Sequence, residues 1–436
     1  MLGEDDENDG IPKVETCTEC IFYNRAETVR LGWRGTGICS SRNELVFQGQ
    51  VAEKSQRCGS AVRLMRYGGT PVHNRQMDGQ MRLIPELVDA YFKMMTPLER
   101  WKSERVNFVD PSQYPTDRTL SVEDKDRGIR AWREIVDHDT GASVFIPVYD
   151  KARFPKNLQA LVPTTGDDEH PENFIDYLGL VFMLAALWWE MDETPALWGP
   201  AGVGKTEVLR HMAWLMQLPF HRISITASTE VEELVGQFTL QDNATKFAHG
   251  RLPRAWQSPG VICLDEPNVG PVEVWQAVRP LTDNSKQFVI DKNAGEIIER
   301  HPDSVFALAM NPAWDTRNVG ADMIADADSS RLAHLAVDYP PFDIEREILR
   351  EWADDPDIGW KIGEETLDQI VGIAEDLRGL AANHSITTSW GVRHSIKVAK
   401  LSRIWPLTKA YDIALVNFLD PRERDLVRGT VKTRVG

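Results

Sequence analysis

From about residue 141 onward, short apolar runs alternate with stretches of helical spacing, the pattern of a parallel α/β sheet. Ala196-Leu197-Trp198 predicts a short strand, followed by a glycine-rich loop and a helix over about 205–217. Further strands are predicted over 221–226, 261–264 and 305–310. Beyond Pro340 the spacing is helical throughout, with helices expected over 344–352, 367–377, 392–401 and 410–419. The longest apolar run, 178–189, is twelve residues with Gly179 inside it. A bilayer needs about 20, so the run reads as a buried helix ahead of the loop, and no membrane partner is expected. Glycines at 68 and 69 and Pro71 mark a linker. Four parts are therefore expected: 1–68, a mostly helical connection over 69–140 with helical spacing at 81–95, an α/β core over 141–339, and a helical unit over 340–436.

The candidate chemistry lies where the predicted strands end. Gly199-Pro200-Ala201-Gly202-Val203-Gly204-Lys205-Thr206 is a GxxxxGK[ST] loop between a strand and a helix. Such glycines let backbone N–H groups turn inward around phosphate oxygens, and the following helix N-terminus favours negative charge. Lys205 is placed to reach the β- and γ-phosphates, and the Thr206 hydroxyl to take a Mg2+ position. The run Val261-Ile-Cys-Leu-Asp265-Glu266 describes a buried strand presenting two carboxylates at its C-terminal edge, where open α/β sheets bind ligands. Asp265 is expected to hold Mg2+ through water and Glu266 to polarise the attacking water. Asn311, ending the strand over 305–310, is expected to orient that water. Arg331, in Ser-Ser-Arg-Leu, is a candidate arginine finger for a neighbouring subunit. Arg393 opens a helix of the C-terminal part.

Charge and cysteine placement alter the picture only at the N-terminal end. The 436 residues carry 49 Lys and Arg against 66 Asp and Glu, a net charge of −17. As a whole this repels nucleic acid and anionic membranes. The stretch from Arg25 to Arg66 is nonetheless locally basic, with eight Lys/Arg against three Glu. The opening MLGEDDENDG is acidic where a secretion signal is positive, so a cytoplasmic protein is expected. Cys17, Cys20, Cys39 and Cys58 read C-x2-C-x18-C-x18-C, while the fifth cysteine, Cys263, lies far away. Four thiolates can complete a tetrahedral zinc site or hold an iron–sulfur cluster. In a reducing compartment a metal site is expected ahead of two disulfides, and metal would supply the stability that so small a segment lacks.

The ordered set GPAGVGKT, VICLDE, AMNP, SSRL…DYP and SWGVR resembles that of AAA+ ATPases, specifically the MoxR/CbbQ/CobS-like group. TEVEELVG at 229–236 is similar to the group's DLxG segment, and FAHGRLPRA at 247–255 to its GxLxxA element. The stretch from Arg331 through Tyr339-Pro340 is similar to its RF…YP. The resemblance runs over about 150–400 and implies an α/β P-loop NTPase fold, a parallel sheet sandwiched by helices, followed by an α-helical lid. It implies ATP and Mg2+ as ligands, Asn311 as sensor 1, Arg331 as the finger and Arg393 as the lid's sensor-2 arginine. Insertions are implied near 236–250 and 287–299. Two positions depart from the pattern: Leu332 replaces the usual Phe, and Trp390-Gly391-Val392 precede Arg393. A finger acting in trans implies a ring, expected to be a hexamer. The implied activity is ATP-driven remodelling of a protein partner, commonly one bearing a von Willebrand A domain. A nucleic-acid translocase with the cysteine module on DNA is the alternative, and an ATP-binding switch with little turnover a third. The cysteine module lies outside this resemblance. It looks like small four-cysteine modules holding zinc or a [4Fe-4S] cluster, the latter with a high-potential-iron-protein-like fold.

Overall fold

The computed structural model describes residues 96–106, 110–114, 116, 119–137, 139–241, 243–283, 287–313, 321–322, 324–354 and 359–436, together with three short strands before residue 48. The chain forms two compact units, Met1–Val109 with His138–Gly141, and Asp110–Asp137 with Ala142–Gly436.

In the first unit, β1 (Tyr23–Asn24), β2 (Thr36–Cys39) and β3 (Glu44–Phe47) form an antiparallel sheet in sequence order. The helix α1 (Pro97–Val106) starts at a reciprocal cap. The Glu99 backbone N–H donates to Thr96 Oγ1 at 3.3 Å, and the Thr96 N–H donates to Glu99 Oε2 at 2.8 Å. Cys39 ends β2. Cys17, Cys20, Cys58 and the helix expected over 81–95 lie outside the described residues.

In the second unit a short capped helix, Val122–Arg127, leads into the antiparallel hairpin of β4 (Ile129–Val136) and β5 (Ser143–Tyr149); past a one-turn helix at Lys156–Gln159 comes α2 (Leu180–Trp189), the apolar helix expected before the loop. β6 (Pro195–Trp198), α3 (Lys205–Met216) and β7 (Phe220–Ser224) come next. Then follow α4 (Val231–Val235), β8 (Gly236–Gln241), β9 (Ala244–His249), α5 (Arg251–Trp256) and β10 (Gly260–Asp265). The chain continues through α6 (Val272–Val278), β11 (Gln287–Ile290), β12 (Glu296–Glu299), β13 (Ser304–Met310), α7 (Asp326–Ser329) and β14 (Ala333–Ala336). Five strands pair in parallel in the order β14-β6-β13-β10-β7. β10 and β13 are buried at every position, as their unbroken apolar runs require of strands covered on both faces. α3 lays Val208, Leu209, Met212 and Ala213 into the core at helical spacing, each with no exposed surface. The fifth strand, β14, was not among the predicted ones, because Ala-His-Leu-Ala buries only Leu335 and carries no alternation strong enough to read.

Two antiparallel hairpins interrupt the α/β alternation, β8 with β9 and β11 with β12. They fall at the two places where the resemblance puts insertions. Just before β13, the buried Asp303 carboxylate accepts from Tyr149 Oη at 2.6 Å and pairs with Arg127, which fastens the β4–β5 hairpin to the core.

Five helices follow the sheet: α8 (Phe342–Ala353), α9 (Glu364–Ala382), α10 (Val392–Leu401), α11 (Leu407–Ala414) and α12 (Pro421–Val435). They share a core of their own in which Trp390 stacks on Tyr411 with ring centroids 5.2 Å apart. The fully buried Glu345 is paired at both oxygens by Arg378, at 2.7 and 2.8 Å, and also accepts from Ser395 Oγ. Ser395 Oγ accepts from Trp390 Nε1 at 3.0 Å, and Arg378 Nε donates to the Trp390 carbonyl. A buried charge survives only when so fully partnered, and here the partners fix the turn that leads into α10. Among the described residues, no helix is long and apolar enough to cross a membrane.

Candidate nucleotide site

The sheet order places the C-terminal ends of β6, β13 and β10 side by side, and the expected site residues leave those ends. The loop 199–204 runs from β6 to α3. Its first N–H, from Gly199, donates to the Met310 carbonyl of β13 at 3.3 Å. Gly204 caps α3 at φ 100°, a left-handed conformation that side chains rarely adopt, and turns the loop into the helix axis. The opening N–H groups of α3 have no intrahelical acceptor, so the twelve-residue helix aims donors and its positive dipole end at the loop.

Lys205 is buried, with 7% of its surface exposed. Its Nζ donates to the carbonyls of Gly199 (2.8 Å) and Pro200 (2.7 Å) and to Asn311 Oδ1 (2.8 Å). Burial lowers its pKa to about 8, against the pull of Glu266 and Asp265. Asn311, at the end of β13, passes the connection on: its Nδ2 donates to Glu266 Oε1 at 2.6 Å. One hydrogen-bonded chain thus links the loop, Lys205, Asn311 and Glu266. Glu266 leaves β10 at φ 57°, a conformation that costs a non-glycine residue of order 1–3 kcal/mol and persists only where surroundings enforce it. Burial also raises its pKa. Next to it, Asp265 Oδ1 accepts from Thr206 Oγ1 at 3.4 Å, and Asp265 Oδ2 accepts from Arg222 Nε at 2.9 Å.

Arg393 comes to the site from the lid. A Cβ built on Gly202 would lie 3.6 Å from Arg393 Cβ, and the Arg393 charge is felt by both Lys205 and Glu207. Gly391 makes this approach feasible, because a Cβ there would stand 2.5 Å from the Ala201 carbonyl oxygen. Arg331 differs from the rest. Its ion pair is with Asp283, at 2.9 Å, and not with a loop residue or with Asp265 or Glu266.

Two further residues belong to the site. Asn268 is buried and donates from Nδ2 to the Asn311 carbonyl at 3.0 Å, bracing the turn after Glu266 against β13. Arg222 stands on β7 beside Asp265. Its signal in the sequence is a charge inside the strand Phe220-His-Arg-Ile-Ser; Asn268, two residues past the acid pair, gives no signal of its own.

The residues present suit a nucleoside triphosphate and Mg2+. Lys205 is a cationic donor whose present acceptors are carbonyl oxygens that phosphate oxygens can replace. Thr206 and Asp265 offer hard oxygen donors on adjoining elements, as Mg2+ prefers. Comparison with known proteins agrees: residues 196–322 match the AAA domain of the dynein-related subfamily. The chain carries an AAA domain and is an ATPase. The chain is similar to Protein CbbQ of Hydrogenophilus thermoluteolus, 29% identical over 151 residues. The match covers 35% of this chain and 55% of that protein. An uncharacterized protein of Staphylococcus epidermidis (strain RP62A) is 24% identical over 259 residues, 58% of this chain and 94% of its own length. One of Staphylococcus aureus (strain USA300) is 23% identical over the same shares.

Proposed function

We propose that this ATPase is a motor of the MoxR/CbbQ/CobS-like group that remodels a protein partner, working as a closed six-membered ring.

The observation that carries this reading is the pair of hairpins set into the AAA domain at 236–249 and 287–299, together with the similarity to CbbQ. In this reading Lys205 and the loop N–H groups hold the β- and γ-phosphates, while Thr206 and, through water, Asp265 hold Mg2+. The metal supplies charge neutralisation across the phosphates when bound. Glu266 accepts a hydrogen bond from the attacking water, and Asn311 keeps both Glu266 and Lys205 in register. Arg393 reports on the phosphates from the lid, and Arg331 serves the site of the neighbouring copy. Catalysis is then positioning plus charge stabilisation.

The test is affinity capture with the Glu266→Gln variant, which should stay ATP-bound. A protein partner held in stoichiometric amount with ATP, released without it, and able to stimulate the wild-type ATPase is the expected result. Stimulation by DNA with no such protein would overturn the reading in favour of a nucleic-acid translocase.

For the N-terminal part, the proposal rests on its donor set, four cysteine thiols, which suits one zinc or one [4Fe-4S] cluster. Metal analysis of protein purified without oxygen should give about one zinc, or about four irons with matching sulfide, per chain. Absorption near about 400 nm would mark the cluster, since zinc thiolates are colourless there. Cys20→Ser should lose the metal and keep the ATPase; a reduced, folded sample with neither metal would end the proposal.

A further inference from the structure

Arg331 sits two residues beyond α7, a helix of only four residues that cannot hold its own orientation. What holds it is Asp328. This carboxylate is 3% exposed, accepts from Trp275 Nε1 at 2.8 Å and from Arg279 Nη2 at 2.8 Å, and its pKa is lowered chiefly by the Arg279 hydrogen bond. Trp275 lies on α6, and Arg279 follows it directly. On the other side of the turn, Arg331 itself is paired with Asp283, four residues past Arg279. The Arg331 N–H also donates to the Asp328 carbonyl at 3.2 Å, so backbone and side chain of Asp328 both bear on the arginine. Leu332, next in the chain, is packed into the apolar cluster of the sheet.

We propose that Asp328, gripped by Trp275 and Arg279, is the positioning residue for Arg331 and thereby sets the rate of hydrolysis in the neighbouring subunit. The proposal rests on the reading of Arg331 as a finger acting in trans. Its physical content is that a guanidinium must meet a developing charge within a fraction of an ångström, and that displacement of about 1 Å can cost on the order of 10²-fold in rate. The segment gripping Asp328 begins a few residues after Glu266, so the finger offered to one neighbour is held by the stretch that leaves the acid pair of its own site.

The experiment uses full-length protein and compares Asp328→Asn, Trp275→Phe and Arg331→Ala, each alone and mixed with Glu266→Gln. Asp328→Asn should lose about tenfold or more in turnover and Trp275→Phe less, both with unchanged affinity for a fluorescent ATP analogue. In mixtures, a Glu266→Gln subunit gives its intact finger to the intact site of an Asp328→Asn subunit. Random mixing makes about a quarter of interfaces complete, so activity should rise above that of either parent. A defect in the variant's own site would not be repaired this way. Wild-type turnover in Asp328→Asn, weakened ATP binding, or no recovery in mixtures where Arg331→Ala does recover would overturn the proposal and leave the finger reading intact. If Arg331→Ala also fails to recover in rings shown to co-assemble, the finger reading falls and this proposal with it.

Discussion

The Glu266→Gln variant should bind ATP as tightly as the wild type and turn it over at least about 10²-fold more slowly, the range expected when a water-positioning base is removed. The substitution keeps the shape of the side chain and an oxygen for Asn311 Nδ2, so the chain from Asn311 to Lys205 stays formed. Only the charge that polarises water is lost. Lys205→Ala should behave in the opposite way and abolish binding, because it removes the one buried ammonium at the loop and leaves the Gly199 and Pro200 carbonyls and Asn311 without their donor. Equilibrium binding of a fluorescent analogue, measured beside steady-state phosphate release, separates the two. Equal loss of binding in both variants would refute the assignment of roles.

The second large effect is expected at Arg331. Its replacement by Ala should lower turnover by about 10³-fold or more, as loss of an arginine finger does, with little change in nucleotide affinity. The partner of Arg331 in its own subunit is Asp283, a half-exposed pair, and exposed pairs contribute about 0–1 kcal/mol, so folding should be almost unaffected. A melting temperature close to wild type with turnover largely gone is therefore the expected combination. Turnover near wild type would remove Arg331 from the reaction altogether.

Much of the core was legible because its signals are local. The runs before Asp265 and Asn311 are apolar at nearly every position, which only a strand covered on both faces requires, and β10 and β13 are such strands. The phosphate loop is a contiguous motif, so its strand, turn and helix came together. The strand β14 and the last helix, α12, left weaker traces. Only Leu335 of β14 is buried, and α12 buries little beyond Val427 and Val431 among alternating charges. What the sequence withheld depends on contacts between distant residues. Asp328 looks like one more acid beside Asp326 until Trp275 and Arg279, some fifty positions away, are seen to close on it. Arg222 is an odd charge in a strand until Asp265 appears beside it. Asn311 and Arg331 were candidates from their positions alone, and the resemblance added the role of Arg393. Their placement is a matter of geometry: two of the three stand at the loop, and the third faces away toward Asp283.

The contact of Gly391 with Ala201 gives the phosphate loop a direct mechanical linkage to the lid. Trp390, immediately before it, is bonded through its carbonyl to Arg378 and through its indole to Ser395, and both of those side chains end on Glu345. The helices 342–353, 364–382 and 392–401 are thus pinned at one buried carboxylate beside the point where the lid meets the loop. Gly391 has no room for even one methyl group beside the Ala201 carbonyl, so a displacement of that carbonyl toward the lid bears on the Gly391 backbone. It must be passed to a stiff body whose far end lies a helix length away, about 15 Å for ten residues. The pivot is short and the arm long, so a small change in the shape of the loop becomes a larger sweep at the outer edge of the lid.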